Sequence, residues 1–260
     1  MVVFAHVSDT HFDGGERARE RAERVMAYLK SLPRPLDAVV VTGDIADHGL
    51  PEEYREAREV LHAAPYPVIT CPGNHDVRDA YREVLLADGG PGGGDEPVDR
   101  VYRAGGAVFV MCDSSIPGRP DGRLGDRTIE WLDGVLAETP HDTPVFVGFH
   151  HPPLTLHTPY VDGIRQFGED RLATVLARHP HVAAVLCGHA HTAAATTFAG
   201  LPLLVAPGVA STIRLAIEES DESGPVDRDA PPAVAVHVLG DDGRLVTHYR
   251  PVVRDSASAG

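Results

Sequence analysis

The stretch Asp37-Ala-Val-Val-Val-Thr-Gly-Asp44 decides the fold, because an apolar and largely β-branched run stops abruptly on a glycine and a carboxylate. Such a run is typical of a strand that is covered on both faces in a parallel sheet. Four other apolar runs also end on an Asp, Asn or His. We therefore expect Asp44 to lie at the centre of a functional site that is assembled from five separate strand ends.

Helical patterns separate the first strands. A strand over 2–7 is followed by apolar residues at helical spacing from Ala18 to Leu29, and prolines at 33 and 35 end that helix. Pro51 suits the first turn of a second helix, and a third strand runs over 67–71. This βαβαβ order, followed by mixed and antiparallel strands, predicts an α/β fold.

The second half carries further elements and three loops. A hairpin turns at Gly105-Gly106, Asp126 is expected to cap a helix, and strands end at Phe149 and Cys187. Residues 88–99 hold five glycines and two prolines and are predicted to form a mobile loop. Irregular loops are expected over 154–168 and 218–232. We expect a single domain over 1–254 and a disordered tail over 255–260.

The amino-acid composition narrows the range of possible binding partners and cellular compartments. A formal net charge of -15 in 260 residues disfavours a nucleic-acid polymer or an anionic membrane surface. The three cysteines lie in or beside apolar runs, which favours buried free thiols. The amino-terminal apolar run is too short for a signal peptide, and no run is long enough to span a membrane. These features favour a soluble protein in a reducing, cytoplasmic setting.

Polar side chains follow the five apolar runs directly. They are Asp9, His11, Asp44, Asn74, His75, His150, His151, His189 and His191. Functional groups collect at the carboxyl ends of strands in sheets with helical crossovers. The separations of 35 residues between Asp9 and Asp44 and of 30 between Asp44 and Asn74 each suit one strand-helix unit. Pairs at i and i+2 present two side chains to one centre from an extended segment or a turn.

The donor chemistry indicates a transition metal. Two carboxylates, one amide and four imidazoles without a thiolate are too rich in nitrogen for magnesium or calcium, and they suit manganese, iron, cobalt or zinc. Seven ligands exceed what one such ion needs, whereas two ions that share a carboxylate would use them all. The predicted ligands are Asp9, His11, Asp44, Asn74, His150, His189 and His191.

The order and spacing of these motifs resemble the calcineurin-like metallophosphoesterases. The resemblance rests on Asp9-x-His11, Gly43-Asp44, Gly73-Asn-His-Asp76, His150 and Gly188-His-x-His191. Residues 43–55 and His150-His-Pro-Pro153 are similar to bacterial class III cyclic-nucleotide phosphodiesterases and the related glycerophosphodiesterases.

The resemblance implies a four-layer αββα sandwich with two mixed sheets flanked by helices. It places Asp9, His11 and His191 on one metal ion and Asn74, His150 and His189 on the other, with Asp44 bridging the two. It also implies a dinuclear phosphodiesterase that uses Mn²⁺ or iron, with Zn²⁺ or Co²⁺ as alternatives. A homodimer is a further expectation that the family suggests.

The expected reaction is hydrolysis of a small phosphodiester, with 3',5'-cyclic nucleotides such as cAMP as the first substrate class. Two divalent ions can hold a bridging hydroxide, lower its pKa and bind two phosphoryl oxygens for in-line attack. The alternatives are a glycerophosphodiesterase, a broad-specificity phosphoesterase and, from a different class, a non-catalytic scaffold.

Two residues outside the ligand set are predicted to be catalytic, His75 and Asp76. We expect His75 to donate a hydrogen bond or proton to the phosphoryl or leaving-group oxygen, and Asp76 and His151 to orient imidazoles. Asp47 and His48 are interpreted as helix-entry or solvated residues and are left out of the site. His157, Tyr160 and Asp162 are candidates for the wall of the substrate pocket.

Overall fold

The computed structural model describes residues 1–86, 92–219 and 224–253. In these ranges the helices are α1 (Glu16–Ser31), α2 (Pro51–Leu61), α3 (Arg78–Ala80), α4 (Asp126–Glu138), α5 (Pro159–Asp162) and α6 (Glu169–Leu176), and a π-helical turn, Tyr81–Leu85, continues α3. The strands are β1 (Val2–Val7), β2 (Ala38–Thr42), β3 (Val68–Cys71), β4 (Arg100–Ala104), β5 (Ala107–Met111), β6 (Val145–Gly148), β7 (Val182–Cys187), β8 (Ala194–Phe198), β9 (Leu201–Val205), β10 (Thr212–Ile213), β11 (Val226–Asp227), β12 (Ala233–Leu239) and β13 (Leu245–Pro251).

The first sheet grows from the amino-terminal crossovers. Its strand order is β13-β12-β1-β2-β3, with β1, β2 and β3 parallel and β12 and β13 antiparallel. Helices α1 and α2 connect the parallel strands, and this arrangement is the βαβαβ unit that the sequence predicts. All five residues of β2 are buried, as expected for a strand covered on both faces.

The second sheet has the order β4-β5-β6-β7-β9-β8. Strands β5, β6, β7 and β9 are parallel, whereas β4 and β8 pair antiparallel with their neighbours. The β4–β5 hairpin turns at Gly105 and Gly106, which have φ of 58° and 81°. Only glycine adopts such values without steric cost, which confirms the predicted turn.

Aromatic side chains join the two sheets face to face. Phe4 of the first sheet packs edge-on against Phe109 and Phe146 of the second, with ring centroids 5.1 Å and 4.7 Å apart. Helices α1 and α2 cover the outer face of the first sheet, and α4 and α6 cover that of the second. The four-layer αββα sandwich of two mixed sheets is therefore confirmed.

Some local expectations differ from the structure. Gly125, and not Asp126, occupies the N-cap of α4, so Asp126 instead places its carboxylate in the first turn. The loop over 154–168 contains the short helix α5, and β11 lies within the loop over 218–232. The expectations for the tail over 255–260 and for 88–91 of the glycine-rich loop lie outside the described residues.

The carboxyl ends of β1, β2 and β3 meet those of β6 and β7 at one edge of the sandwich. A bridge between Ser8 and Gly208 and a backbone hydrogen bond from Gly188 N–H to the His150 carbonyl tie the loops of this edge together. The two sheets thus bring the five predicted strand-end motifs to a common centre.

Candidate metal centre

Ligand-type side chains from all five strand ends converge at this edge. Atoms that can bind a metal lie within 4.8 Å of one another in four overlapping groups: Asp9, His11 and His191; Asp9, Asp44 and His150; His11, Asp44 and His75; and His150, His151 and His189. The overlaps make one continuous cluster of donors.

The first half of the cluster is built by Asp9, His11 and His191. The Nε2 atoms of His11 and His191 are 3.2 Å apart, and Asp9 Oδ1 lies 3.3 Å from His191 Nε2. Asp9 Oδ1 is buried and has no hydrogen-bond partner among the described residues. An unpartnered buried carboxylate oxygen is costly, and a bound cation would satisfy it.

The second half is built by His150 and His189. His150 Nε2 lies 3.2 Å from His189 Nδ1. Two nitrogens that share one ion at about 2.1 Å lie about 3.0 to 3.4 Å apart, depending on the angle between the bonds. Both imidazole pairs have this separation, so the residues present fit a metal ion in each half.

Asp44 lies between the halves. Its Oδ2 is 3.3 Å from His150 Nε2 and 3.7 Å from His11 Nε2, while Oδ1 accepts a hydrogen bond of 2.9 Å from the backbone N–H of His75. One carboxylate oxygen therefore reaches both halves. The bridging role itself stays a prediction, and this geometry supports it.

The carboxylates of the cluster favour positive charge on His150 and His11, whereas burial lowers the pKa of His189 to about 3 and also lowers that of His191. Burial alone would lower the pKa of His150, but the carboxylates of Asp44 and Asp9 outweigh it and raise that pKa to about 9. Burial likewise opposes a proton on His11, yet the Asp47 hydrogen bond and the Asp44 charge raise its pKa to about 9. The carboxylates thus create a potential that would also stabilise a metal cation.

Contacts behind the imidazoles fix their orientation. His150 Nδ1–H donates to the Thr42 carbonyl at 2.6 Å, and His11 Nδ1–H donates to Asp47 Oδ1 at 2.8 Å. His191 Nδ1 lies 2.8 Å from Ser211 Oγ. Each contact directs the ring's Nε2 towards the cluster. Asp47 and Ser211 are functional residues that the sequence analysis missed, although the position of Asp47 three residues after Asp44 was a usable signal.

The two Asp-x-His and His-x-His pairs point inward through left-handed turns. The φ values of Asp9, His11, Asp44, His189 and His191 are 56°, 43°, 48°, 67° and 51°. Such values are uncommon for residues other than glycine and cluster at functional sites. The sequence allowed either an extended segment or a turn at these pairs, and the structure has the turn.

The glycines of the motifs make room for the cluster. A Cβ on Gly73 would lie 2.2 Å from Asp44 Oδ1, and one on Gly43 would lie 2.5 Å from His150 Nδ1. Neither position tolerates a side chain without moving a predicted ligand. The Gly-Asp and Gly-Asn motifs are therefore a steric requirement of the site.

His151 contacts the Asn74 amide, and its ring also lies against the imidazoles of His150 and His189, with centroids 4.8 Å and 4.5 Å away. Its Nε2 lies 3.1 Å from Asn74 Oδ1 and 3.2 Å from the Pro120 carbonyl oxygen, to which its N–H donates, and Ser114 Oγ lies 2.8 Å from its Nδ1. His151 therefore holds Asn74, the predicted ligand of the second half.

Asp76 anchors backbone instead of an imidazole. Its carboxylate accepts hydrogen bonds from the amides of Ile45, Ala46 and Gly73 and from the Tyr54 hydroxyl. Burial, and secondarily the charge of Asp44, raises its pKa to about 6. These contacts correct the expectation that it orients a ring, because they show Asp76 fixing the loops that carry Asp44 and Asn74.

His75 lies at the solvent side of the cluster, with 42% of its side chain exposed. Its Nδ1–H donates to the Asp47 carbonyl at 2.8 Å, so Nε2 is the ring atom left to meet a substrate. His75 lines a cavity of about 260 Å³ on one side and another of about 290 Å³ on the other. Tyr160 lines the former cavity, whereas Asp162 accepts a hydrogen bond from Leu156 N–H.

We expect Asp47→Ala to weaken metal binding to the first half by about 10- to 100-fold, the usual effect of losing a contact that orients a ligand. The physical reason is that His11 would lose the carboxylate that fixes its ring. Titration of the metal-free protein with Mn²⁺ measures the effect. Asp13→Ala is the matched control, because Asp13 lines the same cavity but binds the Gly15 amide. Equal affinities in both variants would contradict the orienting role.

Comparison with known proteins agrees with this geometry. A family model described as calcineurin-like phosphoesterase matches residues 2–193. A probable cyclic nucleotide phosphodiesterase from Rhodococcus erythropolis is 34% identical over 230 residues, which cover 84% of this chain and 74% of the relative. The glycerophosphodiester phosphodiesterase GpdQ from Enterobacter lignolyticus is 32% identical over 245 residues, which cover 91% and 86%.

A solved structure shares the fold. The dimetal phosphatase from Danio rerio superposes with a TM-score of 0.73 at 18% identity, covering 97% of this chain and 96% of that one. The fold and the donor cluster define a metal-dependent phosphoesterase. The chain belongs to the calcineurin-like phosphoesterase family. The family and the metal-dependent phosphodiesterase class expected from the sequence are thereby confirmed.

Proposed function

We propose that the chain hydrolyses small phosphodiesters and that 3',5'-cyclic nucleotides such as cAMP are its first substrate class. The observation that carries the proposal is the convergence of two donor groups on Asp44. The similarity to a probable cyclic nucleotide phosphodiesterase supports the substrate class.

The assigned ligands are those of the sequence analysis. Asp9, His11 and His191 would hold one ion, Asn74, His150 and His189 would hold the other, and Asp44 would bind both. The nitrogen-rich donor set without thiolate favours Mn²⁺ or iron, and Zn²⁺ or Co²⁺ fit as alternatives. When bound, two such ions activate water and stabilise charge on the phosphoryl oxygens.

The chain's own residues then position the loops that carry the ligands and protonate the leaving group. Asp76 holds the two loops that carry Asp44 and Asn74, so we assign it a positioning role in catalysis. His75 directs Nε2 to the cavities, and in its protonated form it donates to the leaving-group oxygen.

Acyclic glycerophosphodiesters are the second candidate. The cavities of about 260 and 290 Å³ lie on either side of His75. An acyclic diester has two separate substituents that would occupy one cavity each, whereas both ester oxygens of a cyclic nucleotide belong to one ribose. The relative named glycerophosphodiester phosphodiesterase supports this candidate too.

We expect purified protein with Mn²⁺ to hydrolyse bis(4-nitrophenyl) phosphate and to lose activity when a chelator removes the metal. Activity should return when Mn²⁺ is added in excess. Rates on 3',5'-cyclic AMP, 2',3'-cyclic AMP, glycerophosphocholine and a monoester, measured side by side, then rank the substrates. Full activity in chelator-treated, metal-free protein would contradict the metal requirement.

We also propose a single domain over 1–254, a homodimer and a cytoplasmic location. The three free and buried cysteines support a reducing compartment. Within the described ranges no helix is long and apolar enough to span a membrane.

A further inference from the structure

Two arginines line the cavity beside the first half of the metal centre. This cavity of about 260 Å³ is bounded on one side by His11, His75 and His191, and its wall also includes Arg17 and Arg228. Arg17 lies in the first turn of α1, and Arg228 directly follows β11. A substrate held at the metal centre would therefore reach a cavity whose wall includes both arginines.

Neither guanidinium has a carboxylate partner within residues 1–86, 92–219 and 224–253, whereas neighbouring arginines do. Arg19 pairs with Glu23, Glu56 and Glu59, Arg24 pairs with Glu20, and Arg214 pairs with Asp227. The carboxylates in the cavity wall have other partners, since Asp47 binds His11 and Asp13 binds the Gly15 amide. In a chain of net charge -15, Arg17 and Arg228 are therefore cations that pair with none of the described carboxylates.

A buried arginine holds the segment that carries Arg228. Arg21 Nε donates to the Val209 carbonyl and its Nη2 to the Ala230 carbonyl, both at 2.7 Å. Arg17 in turn donates to the carbonyl of Arg228. Burial, and after it the charges of Arg17 and Arg24, lowers the pKa of Arg21 to about 10. The charges of Arg17 and Arg24 thus add to the positive charge around Arg21, while Asp227 and Glu20 act in the opposite direction.

We propose that Arg17 and Arg228 form a subsite for a second phosphate group, so that the preferred substrates are phosphodiesters that carry a further phosphate. This inference rests on the proposed function, because it assumes that the diester phosphorus lies at the metal centre. Guanidinium groups suit phosphate through paired N–H donors in a planar fork. A diester without a second anion would leave both arginines unused.

A binding experiment tests the subsite without hydrolysis. Mn²⁺-loaded protein is titrated calorimetrically with thymidine 3',5'-bisphosphate and with thymidine 5'-monophosphate, neither of which contains a diester. We expect the bisphosphate to bind about tenfold more tightly, a typical effect of one charge-assisted contact. Arg17→Ala and Arg228→Ala should each bring this ratio towards one. Lys30→Ala, which removes one exposed charge from the far end of α1, should leave it unchanged.

Hydrolysis separates this inference from the proposed function. The two substrates are thymidine 5'-(4-nitrophenyl phosphate) and the same diester with a 3'-phosphate, and the subsite predicts a lower KM for the latter. If neither diester is hydrolysed but the ratio of the two binding affinities still depends on the two arginines, the phosphate subsite is supported and the proposed function is contradicted. If both diesters are hydrolysed and the ratio of their KM values is the same in the wild type and in both arginine variants, the subsite is contradicted.

Discussion

Asp44→Ala is expected to lower kcat/KM on diesters by about a thousandfold or more, because charge stabilisation by bound metal ions is worth several kcal/mol. The carboxylate lies between the two donor pairs, 3.3 Å from His150 Nε2 and 3.7 Å from His11 Nε2. Its loss should weaken both ions together. Metal analysis of the protein after gel filtration measures their number, and steady-state kinetics measures turnover.

Asp9→Ala is the matched control for this prediction. Asp9 Oδ1 lies 3.3 Å from His191 Nε2 but 3.9 Å from His150 Nε2, so its loss should affect the first ion far more than the second. Thermal unfolding of both variants in chelator separates metal loss from misfolding. If Asp44→Ala kept one ion at wild-type affinity, the shared position would be wrong.

The strands of the fold could be predicted from the sequence because they coincide with uninterrupted apolar runs. Ala38 to Thr42 can be stable only when both faces are covered, and β2 is buried throughout. A polar residue after such a run must then lie at the rim of the sheet. The positions of Asp44 and His150 at one rim follow from this logic and from the parallel order of the strands.

The contacts behind the ligands were not predictable in the same way. Asp47 reaches His11 because its loop returns across 36 residues of sequence, and Ser211 reaches His191 across 20. Neither of these long-range contacts produces a periodic pattern in the sequence. Asp76 was recognised by its motif, but its partners are backbone amides whose directions depend on the loop conformation. Sequence patterns therefore located the donors, while folding determined what orients them.

His75→Ala is expected to lower kcat by about 10²- to 10⁴-fold on diesters with alkyl leaving groups, the usual range for loss of general acid catalysis. The ring is held by the Asp47 carbonyl and lies between the two cavities, where leaving-group oxygens would emerge. A 4-nitrophenyl ester needs little protonation as it departs, so its hydrolysis should fall much less. Parallel kinetics on glycerophosphocholine and bis(4-nitrophenyl) phosphate measure this difference.

The metal content of His75→Ala should equal that of the wild type, because the predicted ligand set does not include this ring. His62→Ala is the matched control, since His62 is exposed and lines a separate cavity beside Val68 and Thr70. A purely structural role for His75 would lower both rates by the same factor. A general acid instead makes the loss grow as the leaving group becomes poorer, and that dependence distinguishes proton donation from positioning.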